Sequence, residues 1–365
     1  MADSAHRARE LILEFGWNST AYQLINPGIA HWFAARGDAL VGYVEYAGVR
    51  VVAGAPVASL DRLSEVTAEF ESAAARNGAR VCYFGAEERL EQLTRQMPTH
   101  SVILLGAQPS WVPANLLATF SGKASLRAQI NRARNKGVLV RQWPPDQVTD
   151  NPALHRVLAA WLATRGLPPL HFMIEPQTLS RTADRLVFVA EWRDRVVGFL
   201  VASPVPAREG WLIEQIVRLP DAPNGVGELL IDAASRAMAS RDSRYVTLGL
   251  APLSRRAEYS DSAEPWWLRA TLGWIRAHGR RFYDFDGLDA FKAKFRPESW
   301  APVFAVGNES RFSPRLLYAI AGAFSGGSPV VTIGRALVRA VRQEVRWLWS
   351  GRALSRPAVQ TRGAH

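Results

Sequence analysis

Residues 212–230 read LIEQIVRLPDAPNGVGELL. Leu212, Ile213, Ile216 and Val217 belong to a strand, and Pro220-Asp221-Ala222-Pro223-Asn224-Gly225 breaks it. Helical spacing then runs over residues 226–238. A strand therefore feeds a helix through a tight turn that closes on Gly225-Val226-Gly227. Free N–H groups at such a helix start attract an anion, and glycine lets the backbone approach it. A plain Asn-Gly helix entry is the simpler reading of the same residues.

The pattern extends both ways. Residues 186–192 and 196–202 make a hairpin across Arg193-Asp194-Arg195, and residues 245–250 give a strand after the helix. Residues 139–143 predict a strand and 152–165 a helix. Beyond, 266–278 and 288–295 predict helices, and 303–306 a last strand. The first 120 residues repeat this style. A helix over 6–15 precedes strands at 31–35, 39–46 and 49–53. Helices at 62–76 and 87–96 alternate with strands at 80–84 and 101–105. The expected class is α+β, with two similar units in tandem. The expected divisions are 1–120, a connector 121–137, 138–310 and a tail 311–365.

The chain has 365 residues and a net charge of +11, with only four Lys among 44 basic residues. That length suits two domains. The charge is uneven. Residues 123–141 hold six basic residues and no acid, and residues 311–365 hold nine Arg against Glu344. The remainder is mildly acidic. Two basic patches on an acidic body point to polyanionic partners, nucleic acid or anionic lipid. The connector predicts a helix with Leu126, Ile130 and Ala133 on one side. Its cations Lys123, Arg127, Arg132, Arg134 and Lys136 suit a phosphate backbone.

Residues 282–300 read FYDFDGLDAFKAKFRPESW and hold half of all the lysines. On a regular helix Lys292 and Lys294 diverge by about 200°. Lys292 and Arg296 would share a face, and Phe291 and Phe295 would share the next and pack inward.

The strand–turn–helix layout resembles acyl-CoA acetyltransferases of the GNAT type, although Ala222 stands where a basic residue or Gln is expected. Further stretches make the resemblance more specific: GWNSTAYQ at 16–23, VVAGAP at 51–56, VCYFG at 81–85, the basic connector, 221–225, LGLAPLS at 248–254, and 283–300. Together they resemble the synthase domain of the phosphatidylglycerol lysyltransferase (multiple peptide resistance factor) family. The resemblance implies two GNAT-like units joined by a basic helix. It implies transfer of a lysyl or alanyl group from charged tRNA to phosphatidylglycerol, with aminoacyl-tRNA as donor substrate and no cofactor. By that carry-over Arg218, Lys292, Asp221 and Glu214 are the catalytic candidates. Asn224, Gly225, Asp286, Lys294 and Arg296 are the substrate-binding ones. Arg218, Lys292 and Arg296 would face the tRNA end or developing charge. Asp221, Glu214 and Asp286 would bind the aminoacyl ammonium or act as base. Family members often carry an acid three residues before the Arg; Gln215 stands there, with Glu214 beside it.

The tail has its own pattern. Arg335, Arg339, Arg342 and Arg346 form one helical stripe, and Trp347 and Trp349 lie near its end. A basic amphipathic helix with boundary Trp suits a membrane surface. Packing on the body and contact with tRNA are the other readings. No 18-residue apolar run and no signal peptide are visible. The expectation is a protein of the cytoplasm, held peripherally at the inner membrane face. One cysteine, Cys82, lies in an apolar strand and reads as core. Seven histidines without an i,i+4 pair predict no metal site. Two other functions fit the same features: an acyl-CoA-dependent N-acyltransferase, or a non-catalytic membrane- or RNA-binding protein.

Overall fold

A computed structural model describes residues 2–164, 171–259 and 284–326, with positions 267, 268, 270 and 273 between them. The first unit opens with helix α1 (Ala2–Phe15) and a 3-10 turn at Ala21–Ile25. Strands β1 (Ala30–Phe33), β2 (Leu40–Tyr46) and β3 (Val49–Ala53) follow. Then come α2 (Leu63–Arg76), β4 (Arg80–Ala86), α3 (Glu88–Arg95) and β5 (Ser101–Trp111). Two helices, α4 (Pro113–Gly122) and α5 (Ala124–Asn135), lead to the second unit. That unit holds β6 (Leu139–Trp143), α6 (Pro145–Val148), α7 (Pro152–Ala163), β7 (Leu186–Trp192), β8 (Arg195–Val205) and β9 (Gly210–Arg218). It continues through α8 (Val226–Ala239), β10 (Tyr245–Thr247), β11 (Ala251–Pro252) and α9 (Phe285–Ala293). Strand β12 (Ser299–Gly307) and helix α10 (Pro314–Ser325) complete the described chain.

The units repeat one scheme. An antiparallel hairpin leads into a strand, a helix crosses over, and the next strand pairs parallel. The parallel pairs are β3–β4 and β9–β10. Both units are GNAT-like, as the family resemblance implies. One sheet runs through both in the order β1-β2-β3-β4-β12-β5-β10-β9-β8-β7-β6. β12, counted with the second unit in sequence, lies between β4 and β5 of the first. β5 joins the two halves by also pairing Ser110 and Trp111 with β10.

Each half has helices on both faces. Alternation along β3 sends Val49, Val51 and Ala53 toward α1 and α10, and Val52 toward α2 and α3. Cys82 is buried with the first set. In the second half α4, α5 and α8 cover one face and α6 and α7 the other.

α5 (Ala124–Asn135) fills the expected connector helix, and Lys123, with extended backbone (φ −91, ψ 106), separates it from α4. One expectation is corrected here. The tail does not start as a separate basic element. Leu316, Ala319, Ile320 and Ala323 of α10 are buried in the first unit's core. The apolar run there has helical spacing and a Ser313 cap, so it folds against β2 and β3 rather than facing a membrane. Arg335, Arg339, Arg342, Arg346, Trp347 and Trp349 lie outside the described residues, as does most of the 266–278 segment. Among the described residues no helix is long and apolar enough to cross a membrane.

Candidate active site

β10 runs beside β9 only briefly, pairing Tyr245–Thr247 with Gly210–Leu212. Past Leu212, β9 keeps β8 on one side and has no strand on the other among the described residues. In this splayed stretch the register slips. Gln215 faces Val201, whereas Ile213 faces Ala202. Glu214 is the extra residue of a β-bulge, which releases its side chain from strict alternation and re-aims it.

Two distant chain segments converge on Glu214. Arg185 Nε donates to its Oε1 at 2.5 Å, and Gln23 Nε2 donates to its Oε2 at 2.8 Å. Gln23 Nε2 also donates to Ser203 Oγ at 3.0 Å. Arg185 Nη1 is spent on the Arg181 carbonyl, and its guanidinium lies 4.9 Å from the Tyr22 ring centroid. Next to it Asp184 takes both Arg9 Nε and Nη2 at 2.5 Å and the Tyr22 hydroxyl at 2.7 Å. Burial opposes charge on Asp184, but Arg9 and Tyr22 outweigh it and hold the carboxyl below its usual range. Burial, reinforced by Asp184, pushes the Tyr22 phenol well up. Gln215, adjacent, holds another segment: it accepts from Thr178 Oγ1 and donates to the Glu175 and Pro176 carbonyls.

A second buried set spans the two units above β10. Glu87 accepts from Arg208 at 2.5 Å and from the Ser19 amide at 2.7 Å. Arg208 lies 3.7 Å from the Trp17 ring centroid and 4.8 Å from that of Tyr245. Gln108 joins Ser19 Oγ to the Tyr245 hydroxyl.

The β9–α8 connection carries four predicted residues. Arg218 is exposed at the strand end, and exposed Asp221 pairs with Arg195 at 2.7 Å. That hydrogen bond holds the Asp221 carboxyl below its usual range. Gly225 has φ +94, and a Cβ there would lie 2.0 Å from the Gln129 carbonyl oxygen of α5. The glycine is thus required by backbone conformation and by close packing of α5 on α8. Asn224 and Asp221 line an open depression of about 440 Å³ with Lys136, Trp192 and Arg193.

The lysine-rich motif packs against this framework. Phe295 is fully buried, with edge-to-face contacts to Trp111, Phe120 and Phe291, as the sequence predicts. Lys292 is 4% exposed, and its amine donates to the Gly249 and Leu250 carbonyls, both at 2.7 Å. Burial pulls that amine down to about 7, with Asp289 pulling the other way. The amine therefore anchors the 249–250 loop after β10. Lys294 Nζ reaches Glu228 in the first turn of α8 at 2.5 Å. The predicted shared face of Lys292 and Arg296 is not formed. α9 ends at Ala293, and Arg296 has left-handed backbone (φ 49) and points to solvent. Pro297 follows directly, and a residue before proline is driven out of the α region. Asp286 is half-buried in the first turn of α9.

On α5, Leu126, Ile130 and Ala133 are buried as expected. Arg127, Arg132, Arg134 and Lys136 are exposed. Arg134 also neutralises Asp232 of α8 at 2.5 Å, and Lys123 Nζ is tied to the Lys294 carbonyl at 2.6 Å. The structure thus groups Glu214, Arg218, Asp221, Asn224 and Gly225 along one strand–turn–helix. It places Lys292 on α9, with its amine holding the Gly249–Leu250 loop that follows β10. Gln23, Arg185 and Ser203 escaped the sequence reading because their role comes from long-range contact. Gln23 does lie in the 16–23 stretch that carries the resemblance.

Comparison with known proteins agrees with this architecture. Residues 9–307 match the model of the family described as phosphatidylglycerol lysyltransferase, C-terminal. The phosphatidylglycerol lysyltransferase of Bacillus subtilis (strain 168) is 25% identical over 271 residues, which cover 73% of this chain. Those residues span 31% of that protein, so the chain matches about a third of its length. The C-terminal domain of a protein named as a lysylphosphatidylglycerol synthetase from Agrobacterium fabrum superposes with a TM-score of 0.75 at 22% identity. That match covers 89% of this chain and 98% of the other. L-PGS from Bacillus licheniformis gives a TM-score of 0.71 at 20% identity, covering 91% and 95%. At such identities the two structures establish the shared fold. The family match spans both units and every described element from within α1 to the end of β12, so the chain belongs to the phosphatidylglycerol lysyltransferase C-terminal family.

Proposed function

We propose that this chain is an aminoacyltransferase that moves a lysyl- or alanyl-type group from charged tRNA onto a hydroxyl of phosphatidylglycerol. The observation that carries the reading is the family match across both units. The bulge at Glu214, in a splay between diverging strands, supports it. An open strand edge beside a buried carboxylate is a place where an acyl group can be held and a proton moved.

An aminoacyl ester is already activated, so the chain's task is to position it, accept the hydroxyl proton and stabilise the oxyanion. Glu214 is the carboxylate within the splay. Arg218, four residues along the same strand, is about 13 Å away by strand rise. It lies toward the exposed cations of α5, which suit the donor's phosphates. Lys292 holds the loop that follows β10. Asp221, exposed and paired with Arg195, suits a role at the entrance better than one at the reacting atoms. Close packing of α5 on Gly225 and the missing N–H of Pro223 weigh against a coenzyme A pyrophosphate at the α8 start. Peripheral attachment to an anionic membrane, with the tail as anchor, completes the proposal.

The test is incubation with tRNA carrying labelled lysine or alanine and vesicles containing phosphatidylglycerol. Label extracted with the lipid supports the reading. Label that stays on tRNA, or leaves only as free amino acid, overturns it.

A further inference from the structure

The depression of about 440 Å³ beside the α8 entry is built from three elements. The β9–α8 connection supplies a wall from Asp221 to Asn224, the end of α5 supplies Lys136, and the β7–β8 hairpin supplies Trp192 and Arg193. The hairpin holds its residues in place. Trp192 pairs with Arg195 across it, and Arg193 and Asp194 both take left-handed backbone (φ 50 and 59), the pattern of a tight two-residue turn. Trp192 Nε1 donates to the Lys136 carbonyl at 2.8 Å, which ties the hairpin to the end of α5.

Two features of the lining say what it can hold. The first is a planar stack. The Arg193 guanidinium lies 4.4 Å from the centroid of the Trp192 ring, and Arg193 is exposed. A flat group can therefore lie on the guanidinium from the solvent side. The second is charge. Asp221 is answered by Arg195 at 2.7 Å. Lys136 and Arg193 are exposed and have no ion pair among the described residues, so two positive charges are left over at one concave site. Asn224 is exposed in the wall, and an amide both donates and accepts.

A nucleotide meets each demand. Its base is flat with a polar edge, and its phosphate is negative. An anionic lipid headgroup supplies the charge but nothing flat to lie on a guanidinium. The volume is at the low end of the range for small-molecule sites, about 300–1,000 Å³, and suits one nucleotide. A duplex keeps its bases stacked inside, so the nucleotide must come from a single-stranded segment. Arg132 precedes Lys136 by one helical turn, so the exposed cations of α5 lead into the depression.

We propose that this depression takes a nucleotide of the unpaired 3′ end of the donor tRNA. The base stacks on Arg193 over Trp192, its edge meets the Asn224 amide, and its phosphate lies against Lys136. The proposal rests on the donor reading above and extends the RNA surface from α5 onto the β7–β8 hairpin.

Fluorescence anisotropy on the full chain tests it, with one deacylated tRNA in two forms: complete, and trimmed of its unpaired 3′ end. Loss of a stacked base should make the trimmed form bind at least about fivefold more weakly. Arg193→Ala, checked for an unchanged thermal midpoint, should bring the two forms to within about twofold of each other. Arg193→Lys keeps the charge without the plane and should behave like Arg193→Ala. Equal binding of both forms by the wild type would overturn the proposal, as would full recovery of the difference in Arg193→Lys. Equal binding of both forms, with Arg193→Ala losing sedimentation with phosphatidylglycerol vesicles, would overturn it in favour of a lipid headgroup. If the two forms bind equally and lipid is still labelled in the transfer assay, the depression falls and the transferase reading stands. If the wild type prefers the complete tRNA and no lipid is labelled, the depression stands and the acceptor reading falls.

Discussion

Gln23 Nε2 and Glu214 Oε2 are 2.8 Å apart although 191 residues separate them in the chain. The first unit thus reaches into the splay of the second and fixes the side chain at its bulge. Neither unit holds the whole site, and a change in the first should be felt in the second.

Glu214→Gln keeps the shape of the bulge and removes the charge that balances Arg185. Breaking a buried pair on one side costs about 3–5 kcal/mol when no other partner can compensate. The amide retains a hydrogen bond, so the loss should fall toward the low end. Transfer should drop at least about tenfold, or 1.4 kcal/mol in the barrier. Chemical unfolding and the lipid-labelling assay, run together, check both parts; a wild-type rate would remove Glu214 from the chemistry.

Lys292 yields a prediction with a sign. Its folded-state amine sits at about 7, held down by burial, against 10.5 in an open chain. Between these values the unfolded chain holds a proton that the folded chain lacks. Stability therefore rises with pH through that window and falls back as pH drops toward 7. The slope approaches one proton, about 1.4 kcal/mol per pH unit. Guanidinium unfolding of the wild type and Lys292→Met at pH 7, 8 and 9 should show the wild type gaining on the variant. Parallel curves would contradict the burial argument.

Gly225→Ala places a methyl group 2.0 Å from the Gln129 carbonyl at φ +94. The left-handed backbone alone costs on the order of 1–3 kcal/mol in a non-glycine residue. The clash must also push α5 off α8. A fall of at least about 2 kcal/mol is expected, together with weaker tRNA binding, because α5 carries the exposed cations. Gly122→Ala, at the exposed end of α4 where a Cβ meets nothing, is the control and should leave stability nearly unchanged.

The α5 surface can be tested without touching the core. Arg127 and Arg132 are exposed and carry no ion pair among the described residues. Replacing both with Ala should leave the thermal midpoint within a degree or two. If each meets a phosphate, the dependence of log K on log salt should become shallower by roughly 0.7–0.9 per residue lost. An unchanged slope would move the RNA elsewhere. Arg134→Ala is a poor substitute, since that side chain also neutralises buried Asp232.

The aromatic end of the lysine-rich motif carries the largest stability prediction. Phe295 is fully buried between Trp111, Phe120 and Phe291. Phe295→Ala should cost about 3–5 kcal/mol. Its backbone carbonyl also accepts from Trp111 Nε1 at 3.1 Å, so a shift here should disturb the end of β5. Differential scanning calorimetry reads the first effect, and loss of near-ultraviolet tryptophan ellipticity the second.

Local sequence determined the elements. The strand at 49–53, the helix over 62–76 and the Asn-Gly entry to α8 each depend on a few neighbouring residues, and each appears where the pattern predicts it. The buried side of α5 and the inward Phe295 follow from the same short-range periodicity. Tertiary structure decided what those elements do. The insertion of β12 between β4 and β5, the bulge at Glu214 and the Lys292 anchor on Gly249 and Leu250 all depend on partners far along the chain. Lys292 shows the limit most clearly. Its spacing predicts a helix face shared with Arg296, but a helix end and a left-handed residue before Pro297 separate the two, and burial turns the amine toward carbonyls. Spacing fixes directions only while a helix lasts; burial and pairing across the sheet are set when distant strands meet.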